Sequence, residues 1–173
     1  MLGPAMNKTT PALLLCLLPL LWISAACGGG APDSYAPDVS ADFRLPVLDG
    51  DGELGPPDFE GKVVVVDFWA TWCGPCHKQA DELAKVHADY SEDDVQFLAV
   101  DLGEDEETVR AFVENDPFPY PVLLDPEEDL MFELGILGLP TLMIVNREGE
   151  VSYFKPGVLY EDALREEIAA AGA

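Results

Sequence analysis

Positive charge is scarce in this sequence: 9 lysine and arginine residues stand against 33 aspartate and glutamate residues, and the formal net charge is −24. A surface this acidic repels the phosphates of nucleic acids, so DNA and RNA are excluded as partners. It also disfavours binding to an anionic lipid surface by charge alone. The acidic excess is typical of a solvated, solubilising surface; a high-salt habitat and a basic partner are the alternatives.

Cysteine is scarce as well, with four residues in the chain. Cys16 lies inside an apolar run and Cys27 closes that run, so the four cysteines do not form the disulfide framework of a small secreted domain. Cys73 and Cys76 are the two that stand together in a segment with a folding pattern. Apolar residues make up 49% of the chain, which is enough for a packed core.

The apolar run near the start, residues 12–23, is short for a membrane span, which needs roughly 20 residues, and has the length of a signal-peptide core. Small residues follow at 24–26, then Cys27. This pattern resembles a bacterial lipoprotein signal, in which the cysteine is acylated and becomes the new N-terminus, although serine replaces the usual leucine. We expect a signal peptide over residues 1–26, with an ordinary cleaved secretory signal as the alternative.

The segment after the signal is rich in glycine, proline, aspartate and alanine. This composition predicts a flexible tether over residues 27–41 and a folded domain over residues 42–171. In the lipoprotein interpretation, the lipid on Cys27 attaches the domain to a membrane.

Strand-like and helix-like segments alternate along the predicted domain. Residues 62–69 are β-branched and apolar on both faces, which predicts a central strand buried on two sides. Helical spacing follows from about residue 75 to residue 90. The other predicted strands lie at 42–48, 95–100, 121–124, 141–145 and 151–154, and the other helices at about 104–114, 127–134 and 159–170. This order predicts an α/β fold with a central mixed β-sheet flanked by helices.

The chemistry is expected where the central strand ends and the next helix begins. Helix N-termini present unpaired N–H groups and a partial positive charge, which stabilise a thiolate and lower the pKa of a cysteine. We therefore predict that Cys73, the more exposed of the pair, is the nucleophile. Cys76 lies about one helical turn on, where it can attack a mixed disulfide on Cys73 and release the substrate. Pro75 suits the first turn because it lacks an N–H group.

The run Val66-Asp67-Phe68-Trp69-Ala70, followed by Trp72-Cys73-Gly74-Pro75-Cys76, resembles the thioredoxin superfamily. The resemblance covers about residues 42–171. The added N-terminal strand, the lead-in residues 58–62 and the extra residues 101–121 are more similar to the TlpA/ResA branch of extracytoplasmic bacterial proteins. The resemblance implies a thioredoxin-like fold with a TlpA-type N-terminal strand and insertion.

The resemblance also implies roles for single residues. Asp67 matches the aspartate that lies behind the second cysteine of thioredoxin and helps to remove its proton; a purely structural role is the alternative. Leu139 and Pro140 resemble the family's cis-proline loop, which lies against the cysteine pair, whereas an ordinary strand-entry proline would have a trans bond. The residues implied to contact substrate are Trp72, Gly74, Pro75, Leu139 and Pro140.

Three other readings of the cysteine motif compete with this one. Cys73, Cys76 and His77 also match C-x-x-C-H, the attachment pattern of c-type haem, for which the preceding buried strand is a poor fit. The same three residues could carry copper, but no second histidine or methionine cluster supports a carrier. A peroxidase would need one nucleophilic cysteine in its own loop. We therefore expect no metal and no cofactor beyond the disulfide, with His77 exposed after the second cysteine.

The resemblance implies an enzyme, a protein thiol–disulfide oxidoreductase. Gly74 and Pro75 form the dipeptide of thioredoxin, a reductant, which favours reduction of disulfides in extracytoplasmic proteins, including apocytochrome c. A disulfide oxidase or isomerase is the alternative. The expected partners are disulfide-containing protein substrates, a membrane thiol-reductant conduit and the membrane itself, through the lipid on Cys27. The expected location is the extracytoplasmic, periplasmic side of a membrane.

Overall fold

A computed structural model of the protein describes residues 1–3 and 39–173. The predicted signal peptide beyond its first three residues, most of the predicted tether and the predicted lipidation site Cys27 lie outside the described residues. In the part of the chain that the structure describes, no helix is long and apolar enough to cross a membrane.

Residues 39–173 contain seven strands, four α-helices and one 3-10 helix. In chain order they are β1 (Leu45–Pro46), β2 (Glu53–Leu54), the 3-10 helix (Pro56–Phe59), β3 (Val63–Trp69), α1 (Gly74–His87), β4 (Val95–Leu102), α2 (Glu106–Val113), β5 (Val122–Asp125), α3 (Asp129–Leu134), β6 (Thr141–Val145), β7 (Val151–Pro156) and α4 (Glu161–Ala170). α1 ends at His87, three residues before the predicted end, where the chain turns.

Five strands form one mixed sheet in the order β5-β4-β3-β6-β7. β3 pairs in parallel with β4, and β4 pairs in parallel with β5. β6 runs antiparallel to both β3 and β7. All residues of β3 and β4 are buried, as their continuous apolar runs predict. The predicted α/β fold with a central mixed sheet flanked by helices is confirmed.

The side chains of β3 alternate between two apolar layers, one on each face of the sheet. Val65 and Trp69 belong to the layer that contains Cys73, Cys76 and the buried apolar residues of α1 and α4. Val66 and Phe68 belong to the layer that contains the buried residues of α3 and the N-terminal segment. Because of this alternation, Asp67 faces the same layer as the cysteines.

Two buried polar side chains of α1 hold the segment that leads into α4. The Gln79 side chain donates from Nε2 to the Leu159 carbonyl at 3.3 Å and accepts from the Leu159 N–H at 2.7 Å. The Glu82 carboxylate accepts from the Glu161 N–H at 3.0 Å and from Lys78 Nζ at 2.6 Å. The helix that begins at the cysteine pair is therefore fixed against α4.

The N-terminal segment is less regular than predicted. Of the strand predicted over residues 42–48, Leu45–Pro46 alone is a strand, and it pairs with β2. Beyond it, the Leu48 N–H donates to the Val122 carbonyl at 2.8 Å. Val39 is partly buried against the layer that contains α3. The segment therefore packs on the sheet and covers β5, which would otherwise be an open edge.

Gly55 lies where two backbone segments approach each other closely. A Cβ atom at this position would lie 1.7 Å from the Phe43 carbonyl oxygen. Since backbone atoms do not move aside cheaply, we expect Gly55→Ala to lower the free energy of unfolding by about 2 kcal/mol or more. Chemical denaturation measures the change. Gly138→Ala is the matched control, because a Cβ there meets nothing within 4 Å; equal destabilisation by both substitutions would contradict the clash.

Candidate active site

The residues between β3 and α1, Ala70–Cys73, form a tight turn, here called the redox loop. The Cys73 N–H donates to the Ala70 carbonyl at 3.1 Å, and the Cys73 carbonyl accepts from the Cys76 N–H at 2.9 Å. Cys73 is the N-cap residue of α1. The two cysteines form a disulfide, with Cα atoms 5.2 Å apart. The predicted pair is therefore together at a helix N-terminus, where a thiolate is stabilised.

Cys73 is the more exposed of the two cysteines, as predicted: 4% of its surface is accessible, against 1% for Cys76. Gly74 and Pro75 are exposed, and Pro75 lies in the first turn of α1. Trp72 is 72% exposed. An incoming disulfide would therefore meet these residues first and reach the sulfur of Cys73 before that of Cys76.

The Leu139–Pro140 peptide bond is cis, as the family resemblance implies. Pro140 precedes β6, whose first residue, Thr141, lies opposite Phe68 of β3. The register places the proline beside the end of β3, where the redox loop begins. The Pro140 carbonyl accepts from the Gly157 N–H at 2.7 Å, which ties this loop to the end of β7.

Asp67 lies in the middle of β3 and is 1% exposed. Its neighbours across the sheet, Ala99 and Leu142, carry no charge. Neither carboxyl oxygen has a hydrogen-bond partner among the described residues. Burial disfavours the ionised form and raises the pKa of Asp67 to about 8. The group is therefore largely protonated at neutral pH and can exchange its proton near the working pH of an enzyme.

A buried tyrosine near Asp67 was not predicted. The hydroxyl of Tyr120 also lacks a hydrogen-bond partner among the described residues. Its pKa is raised well above the usual value, first by burial and then by the charge of Asp67. The Tyr120 ring packs against Phe97, at 5.7 Å between centroids, and against His87, at 5.5 Å. His87 is half-buried, as predicted.

Residues 101–121 bring aromatic side chains to the edge of the site. Phe112 and Phe118 pack on the buried Trp69, with ring centroids 5.3 Å and 4.7 Å apart. A cavity of about 70 Å³ between these rings and α1 is also lined by Cys76 and His77. The predicted TlpA-type insertion therefore covers the side of the site where the second cysteine is buried.

The prediction that His77 is exposed was wrong, because the structure places it half-buried. Its ring packs on Phe112, at 5.1 Å between centroids, and its Nε2 lies 2.9 Å from the Thr71 carbonyl oxygen. The insertion, which the local sequence around the cysteines does not reveal, supplies the covering ring. Within residues 1–3 and 39–173, no group of three or more histidine, cysteine, aspartate or glutamate side chains could hold a metal ion.

Glu104 was predicted to be the first residue of a helix, but in the structure it lies before the helix. The helix begins at Glu106, and its N-cap is Asp105, whose carboxylate accepts from the Thr108 N–H at 2.8 Å. Glu104 lies before the cap, and its carboxylate accepts from both the N–H and the Oγ1 of Thr71 in the redox loop. The signal in the sequence was Asp105, a strong N-cap residue that leaves the preceding glutamate outside the helix.

The raised pKa of Asp67 predicts a pH-dependent gain in stability when its charge is removed. The folded protein keeps this proton up to about pH 8, whereas the unfolded chain loses it near the ordinary pKa of an aspartate, 3.8. Burial of Asp67 therefore costs more stability as the pH rises between these values. We expect Asp67→Asn to raise the free energy of unfolding by about 3–4 kcal/mol more at about pH 7.5 than at about pH 4.5. Chemical denaturation at both pH values measures this; a gain independent of pH would contradict it.

Many known proteins are similar to this chain, and three of them show the relationship. The thiol-disulfide oxidoreductase ResA of Halalkalibacterium halodurans is 30% identical over 131 residues, which are 76% of this chain and 74% of that protein. The sporulation thiol-disulfide oxidoreductase A of Bacillus subtilis is 27% identical, over 91% of this chain and 96% of that protein.

A solved structure described as the thiol:disulfide interchange protein DsbE of Chlorobium tepidum superposes with a TM-score of 0.69 and 32% identity. The superposition covers 77% of this chain and 95% of that one. The model of the AhpC/TSA family matches residues 34–154, which include both redox cysteines and Pro140.

Proposed function

This chain belongs to the AhpC/TSA family, and we propose from that premise that it reduces disulfide bonds of proteins on the extracytoplasmic side of a membrane. That it is a thiol–disulfide oxidoreductase of thioredoxin-like fold follows from its relatives. The observation that carries the proposal is the Cys73–Cys76 disulfide at the N-terminus of α1, directly after a strand that holds a buried carboxyl group.

In the proposed reaction, the Cys73 thiolate attacks one sulfur of the substrate disulfide. A mixed disulfide forms between Cys73 and the substrate, and the other substrate sulfur leaves as a thiolate. Cys76 then loses its proton to Asp67 and attacks the Cys73 sulfur. This step re-forms the Cys73–Cys76 disulfide and releases the second substrate thiolate. Two electrons pass to the substrate, whose thiolates take up two protons.

Substrate is expected to bind on the exposed rim of the redox loop. Trp72, Gly74 and Pro75 are accessible around Cys73. Leu139 is half-buried beside the cis proline, Pro140, whose loop precedes β6. We assign these residues to contact with the substrate chain on either side of its disulfide.

The reducing direction is supported by Gly74 and Pro75, the dipeptide of thioredoxin, whose couple lies at about −270 mV. Continued turnover then needs electrons from a membrane thiol conduit, because each cycle oxidises the cysteine pair. The anchor we propose is a lipid on Cys27, which would hold the domain close to such a donor. Segments of the C-x-x-C-H type in apocytochrome c are the first substrates to test.

The test measures both disulfide reduction and disulfide formation by the full-length protein. Its reduced form is mixed with a disulfide-bonded C-x-x-C-H peptide, and its oxidised form with a reduced, unfolded secreted protein. We expect rapid reduction of the peptide and little disulfide insertion, measured by differential alkylation and mass spectrometry. Faster disulfide insertion than peptide reduction would overturn the proposal in favour of an oxidase.

A further inference from the structure

Thr71, in the redox loop two residues before Cys73, is held from outside the loop at three atoms. Its N–H donates to Oε2 of Glu104 at 2.6 Å, and its Oγ1 donates to Oε1 of the same carboxylate at 2.7 Å. Its carbonyl oxygen lies 2.9 Å from Nε2 of His77. One carboxylate from the segment after β4 therefore binds the turn that carries the nucleophile.

A second carboxyl group lies behind this contact. Asp101, in β4, is 0% exposed and lies opposite Trp69 of β3. Burial, followed by the charge of Glu104, raises the pKa of Asp101 to about 8. Asp101 therefore keeps its proton at neutral pH. Of the two carboxyl groups, Glu104 is the one that faces the redox loop, where both of its oxygens accept hydrogen bonds from Thr71.

We propose that Glu104 is a positioning residue for disulfide exchange: its carboxylate fixes the turn that carries Cys73, and its charge holds the Cys73–Cys76 couple toward the reducing side. The inference rests on the proposed role of Cys73 as the nucleophile. It concerns a residue 33 positions from Thr71 that meets the loop through the fold.

The charge acts on the thiolate form. A fixed negative charge beside the redox loop disfavours a thiolate on Cys73, so the reduced form is less stable. Couples whose reduced form is stabilised are oxidising, and the opposite change makes a couple more reducing. Neutralising Glu104 should therefore shift the equilibrium toward the dithiol.

The hydrogen bonds act on the turn. In Glu104→Gln the remaining oxygen can accept from the Thr71 N–H, and the new NH₂ group can donate to the Thr71 hydroxyl. Both contacts lose the charge of the carboxylate and are therefore weaker in this variant. Glu104→Asp keeps the charge but has a shorter reach, so it separates the effect of charge from the effect of position.

The first experiment measures the equilibrium of full-length proteins in glutathione buffers. Differential alkylation and mass spectrometry report the Cys73–Cys76 pair separately from the other cysteines. We expect Glu104→Gln to shift the equilibrium constant about fivefold toward the dithiol, a change of the size that one nearby charge produces. Glu107→Gln is the matched control, because it removes the same charge from an exposed position in the same acidic run; it should stay within about twofold of the wild type.

The second experiment measures the rate of exchange in a double-mutant cycle of Thr71→Val and Glu104→Gln. If Glu104 acts through Thr71, each single variant is slower than the wild type and the double variant is little slower than either. Glu104→Asp should keep the wild-type equilibrium with a reduced rate. Should Glu104→Gln fail to fold, Thr71→Val alone decides, with a slower rate at an unchanged equilibrium as the expected result.

Two results would overturn the inference: equal equilibrium constants for Glu104→Gln and Glu107→Gln, or additive losses of rate in the cycle. An unchanged rate in Thr71→Val would do the same. Failure of the proposed function would give a different result from failure of this inference. The wild-type protein itself would then show no two-electron couple at Cys73–Cys76.

Discussion

Replacing Cys73 by serine should abolish disulfide reduction, with a loss of at least about 10³-fold in rate, because the chemistry begins with the thiolate at this position. Cys76→Ser should have a different result. Cys73, the N-cap residue of α1 and the more exposed of the two cysteines, can still attack, but the second sulfur that resolves the intermediate is gone. The variant should accumulate a covalent mixed disulfide between Cys73 and the substrate.

Non-reducing electrophoresis and mass spectrometry of the full-length variants, incubated with a disulfide-bonded protein, distinguish these results. Cys27→Ser is the control for the cysteine at the proposed lipidation site, and it should leave the covalent intermediate of Cys76→Ser unchanged. Covalent trapping by Cys73→Ser and none by Cys76→Ser would reverse the assigned roles.

Asp67→Asn should slow the release of substrate from the mixed disulfide by about 10- to 100-fold, in the range of general-base catalysis. The wild-type rate of this step should rise with pH and level off near pH 8, because Asp67 must be ionised to accept the proton of Cys76 and burial raises its pKa to about 8. The variant should lose this dependence on pH.

Single-turnover kinetics across the pH range measure the step directly. Asp101→Asn is the matched control, since Asp101 is also buried and its pKa is also raised to about 8. Asp101 faces the same layer as Asp67 but lies two register positions further along the sheet, opposite Trp69 and beside Glu104. Its variant should therefore keep the inflection. If the inflection remained in Asp67→Asn and disappeared in Asp101→Asn, the base would be Asp101 and the assignment to Asp67 would be wrong.

The parts of the site that follow one another along the chain could be predicted from the sequence. The apolar run of β3 is buried on both faces, the turn and Pro75 mark the start of α1, and the family resemblance implies the cis bond before Pro140. Each of these features depends on local pattern, on turn chemistry or on a motif of adjacent residues.

The parts that depend on distant residues could not be predicted. Tyr120, at the far end of the insertion, lies close enough to Asp67 for the charge of Asp67 to raise its pKa. Glu104 contacts Thr71, which is 33 residues away in the sequence. No periodicity links such positions. The acidic run that contains Glu104 is uniform in charge, but α2 begins only after its N-cap residue, Asp105. Glu104 therefore lies outside the helix and contacts the redox loop.

The reduction potential of the Cys73–Cys76 couple tests the central claim most directly. The full-length protein is equilibrated with thiol–disulfide buffers of known potential, and the oxidised fraction of this pair is measured by alkylation and mass spectrometry. The account predicts a two-electron couple near that of thioredoxin, at about −270 mV. A potential near −120 mV, the value of a strong disulfide oxidant, or the absence of any two-electron couple at this pair would contradict it.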